Sequence, residues 1–332
     1  MRLRWPVFLL SVSSFFTSCT SHARRNYEVQ PAPEFLFERR PFRFECADRT
    51  PGQRGMNERG ARIFIVGGNQ APYLRTRSEA LTLSRRDVPA LTITADPSNF
   101  IAIGGSSRSN WSIRFCAQAE GNNEAEARAR LQQVSMIRLG SAVSVNGPIL
   151  VLGETPTTMG SFVVDAPADA PIVIHASNAP VEIRDMTGPV RVTATHARAT
   201  ILDTTGQVDA AGFVVDFAGS RGRVNLSAEA EINLEMTAPR FEGTLLAWAQ
   251  RPLRMLVPPG FMTPFQALVN RPQDFVCRSD FCAKVKQERW NGLYVFTYAG
   301  DGSTAPERVH LRSEQATVVI NTADRKKADD FR

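Results

Sequence analysis

From Ala170 to Ala238 the chain alternates apolar and polar positions in short runs. Apolar residues pair at i and i+2: Val181/Ile183, Val190/Val192, Ala199/Ile201 and Val208/Ala210, with starts nine apart. Val215/Phe217, Val224/Leu226 and Ile232/Leu234 follow at intervals of seven to nine. Period two is the signature of a strand with one buried face, and the Gly or small polar residues between runs leave no room for helices. Earlier segments read the same way: FRFEC at 42–46, ARIFIVG at 61–67, a long alternating run from Leu81, WSIRFC at 111–116, then AVSVNG, PILVLG and GSFVVDAP. Residues 47–60, ADRTPGQRGMNERG, have loop composition.

One phrase recurs. IRDMTG at 183–188 returns as ILDTTG at 201–206, with four of six positions identical. Short β-branched runs with small turns admit an antiparallel meander or a solenoid of stacked rungs. A meander gives no reason to repeat turn residues every second strand, so the recurrence favours the solenoid, two faces of nine making one coil of eighteen. That arrangement predicts Ile183 directly below Ile201 in the core and Thr187-Gly188 stacked on Thr205-Gly206.

The alternation is broken by one helical segment, 122–138. Asn122 or Asn123 caps it, Glu124 and Glu126 sit in the first turn, and Glu124/Arg128 and Glu126/Arg130 are i,i+4 pairs. Ala127, Leu131 and Val134 form its apolar stripe and Gly140 its stop. Past Pro239 the regularity fades, and NGLYVFTYAG (291–300) and HLRSEQATVVI (310–320) read as hairpin-like closing strands. The predicted class is all-β: a β-solenoid-like chain or parallel β-roll with one packed helix and closing antiparallel strands. The predicted organisation is a signal segment at 1–23, a tether at 24–40 and an N-terminal β region at 41–140. Solenoid-like repeats with closing strands follow at 141–321, and a charged tail at 322–332.

The N-terminus moves the chain out of the cytoplasm. Two arginines precede an apolar, hydroxyl-rich run from Trp5 to Phe16, too short to span a bilayer and typical of an export signal. It ends in Phe16-Thr17-Ser18-Cys19, which resembles a bacterial lipoprotein box, with Phe16 where Leu is usual. Lipidation of Cys19 is the expectation; cleavage after Ala23 is the alternative. Export makes disulfides natural for Cys46, Cys116, Cys277 and Cys282. Three pairings are open, and Cys46–Cys116 with Cys277–Cys282 is the most economical. Four residues separate the second pair and no other tight pair completes a tetrahedron, so a metal is not expected.

The Val/Ile rungs with Gly-ended turns, together with NEAEARARLQQV, YVFTYAGDG at 294–302, VHLRS at 309–313 and ATVVI at 316–320, resemble the bacterial putative adhesin family. The resemblance covers about 58–321, and the chain departs from it in its cysteine pairs and in residues 247–290. It implies β-solenoid-like architecture and surface exposure or adhesion, and it supplies no catalytic residues to carry over.

Signals for chemistry are few. His175 and His196 lie twenty-one apart without a third ligand; the chain has no G-x-S-x-G elbow and no phosphate-binding lysine loop. Asp185 and Asp203 recur with the repeat, and stacked carboxylates about 5–9 Å apart are what a glycosidase uses. They are the candidate ion or ligand residues, with Asp209 and Asp216 as neighbours; the plainer reading is that Asp and Thr make turn hydrogen bonds. The net charge of +6 is spread out, and only Arg325-Lys326-Lys327 groups three cations, which argues against nucleic acid. The sequence therefore points to a non-catalytic protein without cofactors, in the cell envelope at the outer membrane or periplasm. It would be held to a membrane by a lipid on Cys19 and act as an adhesin, scaffold or module binding envelope protein or glycan. The alternative is a polysaccharide-active β-helix enzyme using carboxylates. Mass spectrometry of the mature chain is expected to find a lipid on Cys19; an unmodified N-terminus at Arg24 would contradict it.

Overall fold

A computed structural model describes residue 46 and residues 73–95, 99–146, 158–300 and 308–323. The signal segment with Cys19, the tether, the strands expected at 61–67 and 148–153 and the tail from 324 lie outside the described residues.

The chain begins with β1 (Tyr73–Ser84), β2 (Leu91–Ala95), β3 (Asn99–Ser106) and β4 (Asn110–Gly121). Helix α1 (Glu124–Leu131), β5 (Ser135–Leu139), β6 (Ala142–Asn146) and β7 (Thr158–Pro167) follow. The repeats fold as β8 (Ile172–Ser177), β9 (Val181–Arg184), β10 (Val190–Leu202), β11 (Gln207–Gly219) and β12 (Arg221–Met236). Then come β13 (Glu242–Ala249), β14 (Leu253–Val257), β15 (Phe265–Val269), β16 (Phe275–Arg278), β17 (Lys286–Trp290), β18 (Leu293–Tyr298), β19 (Val309–Ser313) and β20 (Val318–Thr322).

Hydrogen bonding sorts these strands into two ladders. The first runs β5–β6–β2–β8–β10–β11–β12–β13–β19–β15–β18–β17. The second runs β1–β4–β7–β3–β9–β10–β11–β12–β14–β20–β16. Strands β10, β11 and β12 belong to both: the first half of each pairs in one ladder, the second half in the other. The register shifts that mark the change fall near Ala194–Arg198 and Gly212–Val214. Pairing among β8 to β12 is parallel, which excludes the meander and leaves an all-β, solenoid-like arrangement with antiparallel strands toward its ends.

The eighteen-residue repeat is visible in the register. Ile183 lies opposite Ile201, and Ile172, Val190 and Val208 face one another in succession. One core row continues from Ile103 through Ile183, Ile201, Phe217, Leu234 and Met255 to Ile320, each at most 1% exposed. Adjacent rungs of a sheet are about 4.8 Å apart, so each inward side chain packs on its counterpart in the next coil.

That spacing also brings backbone onto backbone at the corner where the second ladder hands over to the first. A Cβ on Gly188 would stand 2.4 Å from the Asp169 carbonyl oxygen, and one on Gly206 2.3 Å from that of Gly188. A Cβ on Gly222 would stand 2.8 Å from the Gly206 oxygen, and one on Gly243 2.1 Å from that of Gly222. Backbone bonds tie the same turns together: the Thr187 and Gly188 N–H groups donate to Ala168, and the Thr205 N–H to Met186. The glycine of the repeated phrase is thus a spacer between coils.

Two expectations are corrected. The helix ends at Leu131, capped by the Asn123 side chain, and residues 135–139 are β5. The i,i+4 pairs expected for it are present, and the hydrogen bond from Arg128, with Arg75 beside it, holds the Glu124 carboxyl below its ordinary range. Residues 135–139 instead pair antiparallel with β6 through a turn at Gly140, whose φ of 62° suits a tight hairpin. The second correction concerns 310–320. These residues do not pair as a hairpin with the strand before them. Strands β19 and β20 lie parallel to both neighbours and are inserted between β13/β14 and β15/β16. The hairpin of this region is β17–β18, turned by Asn291-Gly292 with both φ values positive. The final strands of the chain therefore complete a rung inside the stack.

Disulfides join Cys46 to Cys116 and Cys277 to Cys282. Cys116 is buried on β4 between Phe115 and Ala117, which face the core, so Cys46 is attached on the opposite side of that strand.

Gly206→Ala is expected to lower stability by about 3 kcal/mol, because backbone must shift on both coils. Gly104→Ala, where an added Cβ meets nothing within 4 Å, is expected to stay within about 0.5 kcal/mol of the parent. Denaturant unfolding of the two variants checks this; equal effects would contradict the corner contact.

Candidate functional site

Asp185 and Asp203 occupy equivalent corner positions, immediately after the strand segments that carry Ile183 and Ile201. Both have left-handed backbone, with φ of 57° and 50°. Asp and Asn are the side chains other than Gly that enter this region most readily. Their N–H groups donate to the carbonyls of Leu202 and Ala218, at the ends of the strands of the next coil. The residue after each is buried: Met186 and Thr204, the latter with its hydroxyl on the Leu202 carbonyl at 3.2 Å. The aspartates are corner residues whose backbone the stacking requires. Asp203 borders a shallow cleft of about 260 Å³ shared with Arg221, Arg240 and Glu242; Asp185 does not line it. One coil earlier the corner bears Asp169, where a hydrogen bond from Arg85 holds the carboxyl below its ordinary range.

The neighbouring carboxylates stand elsewhere. Asp209 is on the first ladder, where its Oδ2 accepts from Gln207 at 2.9 Å. Asp216 is on the second ladder and 1% exposed. It accepts from Arg198 at 2.9 Å, Thr200 at 3.2 Å and Asn233 at 3.0 Å. Thr200, Asp216 and Asn233 are register partners on successive rungs, so this carboxylate is a bracket between coils. His175 lies within β8, exposed and opposite Thr193. His196 has φ of 54°, as does Asn178 one coil before it, so this histidine also turns a corner. Among the described residues no three of His, Cys, Asp or Glu are grouped to hold a metal ion. Asp185 and Asp203 thus serve turns, and Asp216 a bracket between rungs.

The outer faces of the two ladders differ. On the second, Val163, Ala102, Leu202, Ala218 and Leu256 alternate with core residues and so point away from the core, yet none is more than 5% exposed. On the first, the equivalent positions meet solvent. One row runs Arg191, Asp209, Asn225, Leu246, His310, Gln266; the next runs His175, Thr193, Ala211, Ser227, Trp248, Arg312. Arg191, Thr193, Asn225 and Arg312 are exposed, Leu246 is 48% exposed and Trp248 is half-buried. Sequence reasoning missed this surface. Its residues are the polar alternates of strands already predicted, but Trp248 and Arg312 become neighbours only through the late insertion of β19.

No family model matches the sequence, and no curated protein does. Among solved structures the chain is similar to a putative cell adhesion protein from Clostridium sporogenes, at 8% identity and a TM-score of 0.31, over 75% of this chain and 99% of that one. It is similar to a putative adhesin from Bacteroides fragilis at 8% identity and a TM-score of 0.30, over 77% and 100% of the two chains. A third, a putative adhesin from Parabacteroides distasonis, shows 10% identity and a TM-score of 0.29, over 74% and 96%. Likeness of that degree leaves the function of this chain to its own residues.

Asp185→Asn with Asp203→Asn is expected to leave the melting temperature unchanged, since Asn also tolerates this backbone. Asp203→Val is expected to cost about 1–2 kcal/mol. Millimolar calcium should not raise the melting temperature of the parent; a rise that the double Asn variant abolishes would make the pair an ion site. Asp216→Ala is expected to cost about 2 kcal/mol, because it strands the Asn233 amide.

Proposed function

We propose that this chain is an exported, non-catalytic binding module of a bacterial cell envelope, tethered by a lipid on Cys19, that engages its partner through the open face of the first ladder. The two ladders are read as two walls of one continuous coil, a β-roll closed at the first ladder's far end by the β17–β18 hairpin. One observation carries the functional part: the outer face of the first ladder stays in solvent across successive rungs, while much of the other outer face is buried. A soluble chain gains nothing from Leu246 and Trp248 side by side on a solvated face, whereas a binding surface does. The export signal and the resemblance to surface proteins in the sequence support the location. The enzyme alternative has lost its acids to corners and rungs.

Co-sedimentation with isolated envelope fractions tests the reading. The mature chain is expected to pellet with them. Leu246→Ser with Trp248→Ala is expected to weaken that association about tenfold or more, the loss expected of an anchor residue. Undiminished association by a folded double variant would remove the face from the account.

A further inference from the structure

The charges and shape of the open face select among partners. Arg191 and Arg223 are exposed on β10 and β12, and Arg312 on β19. The carboxylate among them, Asp209, is engaged by Gln207, and Arg312 has Glu314 at 3.3 Å on one of its nitrogens. The face therefore presents guanidinium groups in excess of carboxylates. Trp248 stands between Ser227 and Arg312 in register, with Leu246 two positions along the same strand. Asn225 and His310 flank Leu246 in the neighbouring row. An indole beside hydroxyl, amide and guanidinium groups suits a sugar ring: the apolar face of the ring lies on the indole, and its substituents reach the polar groups. Rungs repeating at about 4.8 Å present their outward residues at a regular spacing, which suits the regular units of an extended polymer. Leu246 and part of Trp248 are too little apolar surface to enter a bilayer interface.

We propose that the open face binds a carboxylate-bearing polysaccharide, stacked on Trp248 with its carboxylates on Arg312, Arg191 and Arg223. This deepens, and rests on, the assignment of the open face as the binding surface. Arginine suits the task because its fork of donors matches a carboxylate geometrically.

The test uses the purified mature chain with three probes: polygalacturonate, the same polymer fully methyl-esterified, and phosphatidylglycerol vesicles. Binding to polygalacturonate and not to its ester is expected, weakening as salt is raised. Trp248→Ala, which removes the stacking ring, and Arg312→Gln, which removes one charge-assisted contact, are each expected to weaken it about tenfold, with the melting temperature unchanged. Equal binding of acid and ester, or undiminished binding by both variants, overturns the proposal. Absence of polygalacturonate binding, while Leu246→Ser with Trp248→Ala still abolishes envelope association, overturns the polysaccharide assignment and leaves the face standing. Vesicle binding lost with the same substitutions makes the occupant a membrane surface and overturns it as well.

Discussion

Everything in this structure depends on how closely consecutive coils approach at one corner. Parallel rungs must lie about 4.8 Å apart to share hydrogen bonds. The chain reverses direction between ladders in a few residues, so the corners of successive coils meet backbone to backbone. Gly188, Gly206, Gly222 and Gly243 form a column in which each would press a side chain into the carbonyl beneath it. Because that column holds, the register holds, and Ile183 meets Ile201 and Val190 meets Val208. A slip of one residue would turn each inward side chain to the outside.

The same constraint settles the carboxylates. At two of these corners the backbone turns left-handed three residues before the glycine, at Asp185 and Asp203; at the next two Gly222 and Gly243 carry the positive φ themselves. The outer face of the second ladder brackets its coils with Asp216, held by Arg198, Thr200 and Asn233. What remains for function is the other outer face, where alternating residues have no structural duty beyond solvation. The stack also protects one of its ends: β17, Lys-Gln-Glu-Arg-Trp, is exposed throughout and strongly charged, and β16 is only four residues long. Both are ordinary defences of a sheet edge against further pairing.

Much of this could be read from residue spacing. The repeat at 183 and 201 placed two isoleucines in one core row and two Thr-Gly pairs in one corner, because period and turn chemistry are local. Local signals failed where tertiary pairing decided the outcome. The helical pattern from Asn122 carries ion pairs that extend only to Arg130, and beyond Leu131 pairing with β6 prevailed. Residues 309–322 look like closing strands, since nothing in their composition says that they insert between earlier rungs. The proposed binding face was illegible for the same reason: Trp248 and Arg312 are distant in sequence and adjacent only through that insertion.

The most direct test of the stacked-coil account is to delete one whole coil, Pro189 through Gly206. The account predicts that Gln207 then follows Gly188 with each later residue in register, so the shortened chain still unfolds cooperatively and keeps its β circular dichroism. Deleting half a coil, Pro189 through Ala197, should abolish folding, because strands would arrive on the wrong ladder. If the two deletions behave alike in denaturant unfolding, the stacked coil is not the unit of this structure.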